Sequence, residues 1–134
     1  MTVLHRIVVL VGGGGLLAAA FAASAHHSRA LHFDIEQEIT REGVVSSWQW
    51  RNPHPFIFLD VTVASGETET WAVELPNTVA MTRRGWSPES VSVGDHLTIT
   101  GSPGRDGRRI MTLSSVQRAE DGWEWRGFGF RNND

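Results

Sequence analysis

The segment ITREGVVSSWQWRNPHPFIFLDVTV, running from Ile39, leaves this chain little choice of fold. Two runs rich in β-branched and aromatic residues flank Pro53 and Pro55. Proline lacks the amide a helix needs and pushes the residue before it toward extended backbone. Helix is excluded at the centre, and alternation marks a strand on each side. Gly43 is read as a bend or bulge in the first strand. The second strand, FIFLDVTV, turns through ASGET into a third, TETWAVEL, as a hairpin.

Pro76 and Asn77 then start a short helix, arginines lie near its end, and Gly85 terminates it. After the turn at Val93-Gly94-Asp95, alternation resumes from His96 to Thr100 as a fourth strand. GRDGR is a glycine turn, and RIMTLSSVQRA is the fifth strand. The order β-β-β-α-β-β predicts a mainly β fold: a five-stranded OB-like Greek-key barrel with one short helix between strands three and four. The barrel is placed over residues 39–119. Residues 26–38 are expected to form an extended arm, and residues 120–134 an aromatic-rich tail. There Trp123, Trp125, Phe128 and Phe130 either pack onto the barrel or add an edge strand.

Residues 1–25 have the layout of a secretory signal: one early arginine, an apolar run, and an A-x-A site at Ala23-Ser24-Ala25. A second A-x-A, Ala20-Phe21-Ala22, competes for the cut, and an uncleaved anchor is the alternative. Removal leaves about 109 residues, enough for one domain, in the periplasm or secreted, with no stable membrane span. Cysteine is absent, so no disulfide staples it. Lysine is absent too. Arginine supplies all twelve fixed positive charges against fifteen acids, for a net charge of −3. That balance argues against nucleic acid as a partner, since phosphate contacts need many cations.

Cleavage after Ala25 would make His26 the N-terminus. Its α-amine and imidazole could chelate one metal ion, and a second imidazole would complete a three-nitrogen site of the kind that suits Cu(II). The proposed metal ligands are therefore His26, His27 and His54. His54 is held between two prolines, and His27 is its substitute. The other reading is an ordinary exposed terminus. His32 has no partner visible in sequence, and His96 is expected on the surface.

A small-ligand pocket is the companion expectation. Trp50, Asn52 and His54 lie in one loop, and Arg84 beside Trp86 could add an anion contact. Core roles for Trp48 and Trp50, and a helix-end role for the arginines, are the competing readings. No nucleophile–base set, phosphate loop or HExxH occurs, so an enzyme is not expected. The alternative function is a protein-interaction module of a cell-envelope complex, using the aromatic tail and a barrel edge, with no metal role.

The mature chain resembles a family of small exported bacterial proteins catalogued as domain of unknown function 6152. The likeness is carried by A-H-H-S at 25–28, F-D at 33–34, G-V-V at 43–45, W-R-N-P-H at 50–54 and W-A-V-E at 71–74. It continues with P-N at 76–77, R-R-G-W at 83–86 and V-G-D at 93–95. Arg29 stands where members commonly carry an aromatic residue. The resemblance implies export and a small β domain, and brings no activity with it.

Overall fold

The computed structural model describes residues 30–127. The chain divides into two units, residues 1–32 and 33–134. Of the first unit only residues 30–32 are described, and they are helical. The leader, His26, His27, Phe128 and Phe130 lie outside the described residues. Among the described residues no helix is long and apolar enough to cross a membrane.

The second unit is mainly β. Its elements are β1 (Ile39–Gln49), β2 (Phe56–Thr62), β3 (Thr68–Glu74), α1 (Thr78–Thr82), β4 (His96–Gly101), β5 (Ile110–Thr112), β6 (Ser115–Arg118) and β7 (Glu124–Arg126). They form one sheet in the order β5-β3-β2-β1-β4-β6-β7. All pairings are antiparallel except β3–β5, which is parallel. The sheet curls into an OB-like half-barrel of seven strands, two more than the sequence predicts.

Both extra strands have identifiable causes. The expected fifth strand changes partner midway. The Leu113 amide donates to the carbonyl of Glu74 on β3 (3.2 Å), and the next amide, Ser114, donates to Thr100 on β4 (2.8 Å). One continuous segment is thereby divided into β5 and β6. The seventh strand is the beginning of the tail, where Val116 pairs with Trp125.

The arm departs from expectation as well. Residues 30–32 are helical, and Phe33, 4 % exposed, bridges to Gly104. A turn follows, closed by the Gln37 amide on the Asp34 carbonyl (3.1 Å), while the Asp34 carboxylate accepts from the Gln37 side chain (2.9 Å). Burying one phenyl ring and satisfying one aspartate outweigh extension here.

Local signals place α1 where the sequence puts it. The Asn77 side chain accepts the Ala80 amide at 2.9 Å as N-cap, and Gly85 has φ +88°, beyond the Arg83 C-cap. Inward-facing positions of the strands build the core from Val45, Ile57, Leu59, Val73, Leu97, Ile99 and Met111, with Leu75, Met81, Trp86 and Leu113 added from the connections. Each such side chain stabilises the fold by about 1.5–3 kcal/mol relative to exposure.

Candidate functional site

The prolines and Asn52 of the β1–β2 loop form a built corner. The Asn52 carbonyl oxygen accepts from the Thr78 hydroxyl (2.8 Å) and amide (3.3 Å) at the start of α1. Leu75 is held from both sides: its amide donates to the Pro55 carbonyl (3.0 Å), and its carbonyl faces His54 Nδ1 at 3.0 Å. The Glu74 carboxylate lies 3.6 Å from that same nitrogen, and the Asn52–Pro53 bond is cis. A carbonyl can only accept, so His54 Nδ1 carries a proton. In the neutral ring Nε2 then keeps the lone pair, on a side chain 45 % exposed. Asn52 thus has a structural duty at the helix start, and His54 is the part of the corner with chemistry left to offer.

The tryptophans enter through a bulge. Val45 pairs with Leu59 and Ser47 with Phe58, leaving Ser46 as the extra residue. Side chains alternate in a strand, so Val45 and Trp48, three apart, share the inner face only because of that insertion. The bulge is therefore at Ser46, and Gly43 serves a different purpose. A Cβ there would stand 2.3 Å from the Asp60 carbonyl oxygen, so glycine lets β2 approach. Ser46 is held by Asp60, whose carboxylate accepts from the Ser46 hydroxyl (3.1 Å) and from Thr70 on β3 (2.7 Å).

From the bulge onward the rings form a chain. Trp48 lies 5.6 Å from Trp50 and 6.2 Å from Trp86, and its indole donates to the Pro88 carbonyl at 2.7 Å. Trp86 meets Trp123 and Trp125 edge-on at 5.3 and 5.5 Å. Trp86 is 2 % exposed, so the structure places it in the core and not on a ligand-facing surface. Trp48, Trp50, Trp123 and Trp125 are partly buried and pack against that core. Arg84 is exposed beyond the end of α1, its amide bonded to the Met81 carbonyl. His96, exposed as expected, faces Glu120 at 3.7 Å. Among the described residues no group of three or more histidines and acids could hold a metal ion.

Sequence reading missed Arg118. Its guanidinium grips both oxygens of Asp121 (3.0 and 2.8 Å), the Asp95 carboxylate (3.1 Å) and the Ser90 carbonyl (3.2 Å), and lies 5.1 Å from the Trp123 ring centre. These partners come from three separate turns, so no local motif announces them. The Arg118 hydrogen bonds, helped by the Trp123 amide, hold the Asp121 carboxyl down at about 2, against an ordinary 3.8. The stability this adds is complete above pH 4 or so and is lost as pH falls through about 2. A carbon-detected NMR titration is expected to place the Asp121 midpoint near 2, and to return it toward about 3.9 in Arg118→Gln. A wild-type midpoint near 4 would contradict the clamp.

Comparison with known proteins yields two kinds of match. A crystal structure of a mitochondrial single-stranded DNA binding protein from S. cerevisiae is similar at 10 % identity and a TM-score of 0.48, covering 61 % of this chain and 92 % of that one. Its selenomethionine-labelled form matches at 9 % identity and the same TM-score, covering 62 % and 93 %. The expectation that composition excludes nucleic acid is withdrawn, since single-stranded DNA binding proteins are among the similar structures. At this level the likeness carries no ligand over to the present chain. No curated protein matches. The family model covers residues 14–113, which include every element from β1 to β5. On that match the chain belongs to the family of unknown function DUF6152.

Proposed function

We propose that this is an exported, non-enzymatic binding domain whose site is the His54 corner, taking a copper-type metal ion or a small ligand there. The observation that carries the reading is the Nδ1 contact to the Leu75 carbonyl. Metal-binding histidines usually donate their other ring N–H to a carbonyl or carboxylate, which fixes the tautomer and aims the free nitrogen. His54 has that support, with Glu74 beside it and two prolines limiting its motion. The remaining nitrogens in this proposal are the amine and ring of His26 after cleavage at Ala25, with His27 as substitute. Cu(II) suits such a nitrogen set. For a small organic ligand, Trp50 would offer an aromatic edge at the same corner.

The fold supports the reading in a finer form. Taking β5 and β6 as one interrupted strand leaves a five-stranded OB-like Greek-key barrel with β7 added at its edge. In such barrels the loop after the first strand borders the usual binding surface.

The test is intact mass of the exported protein, followed by Cu(II) titration of that same material. A mass beginning at His26 with tight one-to-one binding is expected. His54→Ala should weaken it at least about 100-fold, and Glu74→Gln about 10-fold. Retention of the leader, or binding unchanged in His54→Ala, would overturn the metal assignment.

A further inference from the structure

Arg41 lies on the inner face of β1 and is half-buried. Its cross-strand partner on β4 is Ile99, which is fully buried, and directly paired residues share a face. Trp71 faces inward by the same reasoning, since it pairs with buried Leu59. The Arg41 guanidinium carbon sits 4.2 Å from the Trp71 ring centre. An arginine turned toward an apolar interior is ordinarily matched by a carboxylate, because an unpaired cation there is costly. Here the one hydrogen bond of its guanidinium among the described residues goes to the carbonyl of its own neighbour, Thr40, at 2.8 Å.

Trp71 adds a second, independent deficit. The residue is 9 % exposed, and its buried indole N–H has no acceptor among the described residues. A buried donor left unmatched loses the hydrogen bond it would make in water. The nearest acid along the strand, Glu69, shares this face but is already held by Arg109 at 2.8 Å. Among the described residues, this part of the half-barrel therefore presents a cation without a counter-charge beside a donor without an acceptor. Both deficits are answered by one kind of group: negative, and rich in lone pairs.

We propose that Arg41 and the Trp71 indole form a binding site for a small oxyanion, a carboxylate or a phosphate group, at the inner end of the half-barrel. Arg41 supplies charge and the flat fork of donors that suits both anions. The Trp71 N–H supplies direction, and Arg109 screens Glu69 from the incoming charge. This site is separate from His54, and its success or failure is independent of the metal reading.

The experiment is a proton–nitrogen NMR titration of the mature protein with inorganic phosphate and, separately, with acetate, at constant ionic strength. The Trp71 indole resonance, assigned by its loss in Trp71→Phe, is expected to shift saturably as its proton gains an acceptor. In Arg41→Gln the affinity should fall about 10- to 100-fold. Saturation by phosphate alone or by acetate alone would assign the anion class. A resonance that fails to saturate with either anion, or that saturates equally well in Arg41→Gln, overturns the site. Should Arg41→Gln fail to fold, the wild-type titration decides.

Discussion

Trp86→Ala is expected to lower the stability of this domain by about 3–5 kcal/mol in equilibrium urea unfolding. A domain of this size has about 5–15 kcal/mol in total, so the variant should be near the edge of folding. Trp86 sits just past α1 yet touches Trp48 from the end of β1 and Trp123 and Trp125 from the C-terminal turn and β7. Removing it opens a cavity bordered by rings from separate parts of the chain, and rigid indoles cannot collapse into it. Trp86→Phe separates shape from polarity. It keeps an aromatic ring at the centre and deletes an indole N–H that has no acceptor among the described residues. Its cost should stay below about 2 kcal/mol. An alanine variant within about 1 kcal/mol of wild type would mean that the cluster lies outside the cooperative unit.

Gly101→Ala is expected to cost about 3 kcal/mol or more, by a different route. A Cβ at position 101 would lie 1.7 Å from the carbonyl oxygen of Thr112 and 2.7 Å from its carbon. Those are backbone atoms, so no rotamer change relieves the clash. Thr112 is also fixed in place: its amide donates to the Ser102 carbonyl (2.9 Å) and its hydroxyl accepts the Ser102 amide (3.0 Å). Either β4 or β5 must leave its partner. Gly66→Ala is the useful contrast. Nothing lies within 4 Å of the added atom, but φ is +85°, so the strain is conformational and about 1–2 kcal/mol. Thermal unfolding of both variants checks the order. Amide exchange should show local opening at Ser102 and Thr112 in Gly101→Ala alone.

How much of this was legible depends on whether the governing contacts are local. The first four strands and α1 sit within a residue or two of their expected limits, because alternation, Asn77 and Gly85 act over short range. The bulge at Ser46 carries no glycine or proline to announce it. Its signal was the odd spacing of Val45 and Trp48, which one unbroken strand cannot place on a single face. The division at Leu113 and Ser114 was hidden for a related reason. Residues 111–114 are all buried, since that backbone is covered by a neighbour on either side, while the letters themselves read as one strand. At the candidate site, the prolines marked the corner, but the Leu75 carbonyl that orients His54 is backbone and leaves no trace in residue identity. Arg118 was missed because Ser90, Asp95 and Asp121 meet it only after folding.

The partner change between Leu113 and Ser114 also sets an order of events in time. The β1–β4 ladder joins residues 62 positions apart, Ile39 to Gly101, and the segment after it bridges β3 to β4. A chain emerging from a ribosome can form the β1–β2–β3 meander early, but its far edge stays unmatched until the last quarter is synthesised. Such long-range closure places folding in the slow, millisecond-to-second class. Through that interval, the strand edge awaiting residues 110–118 is open to pairing with another nascent chain, and the unfinished half-barrel is the form a holding chaperone would have to protect.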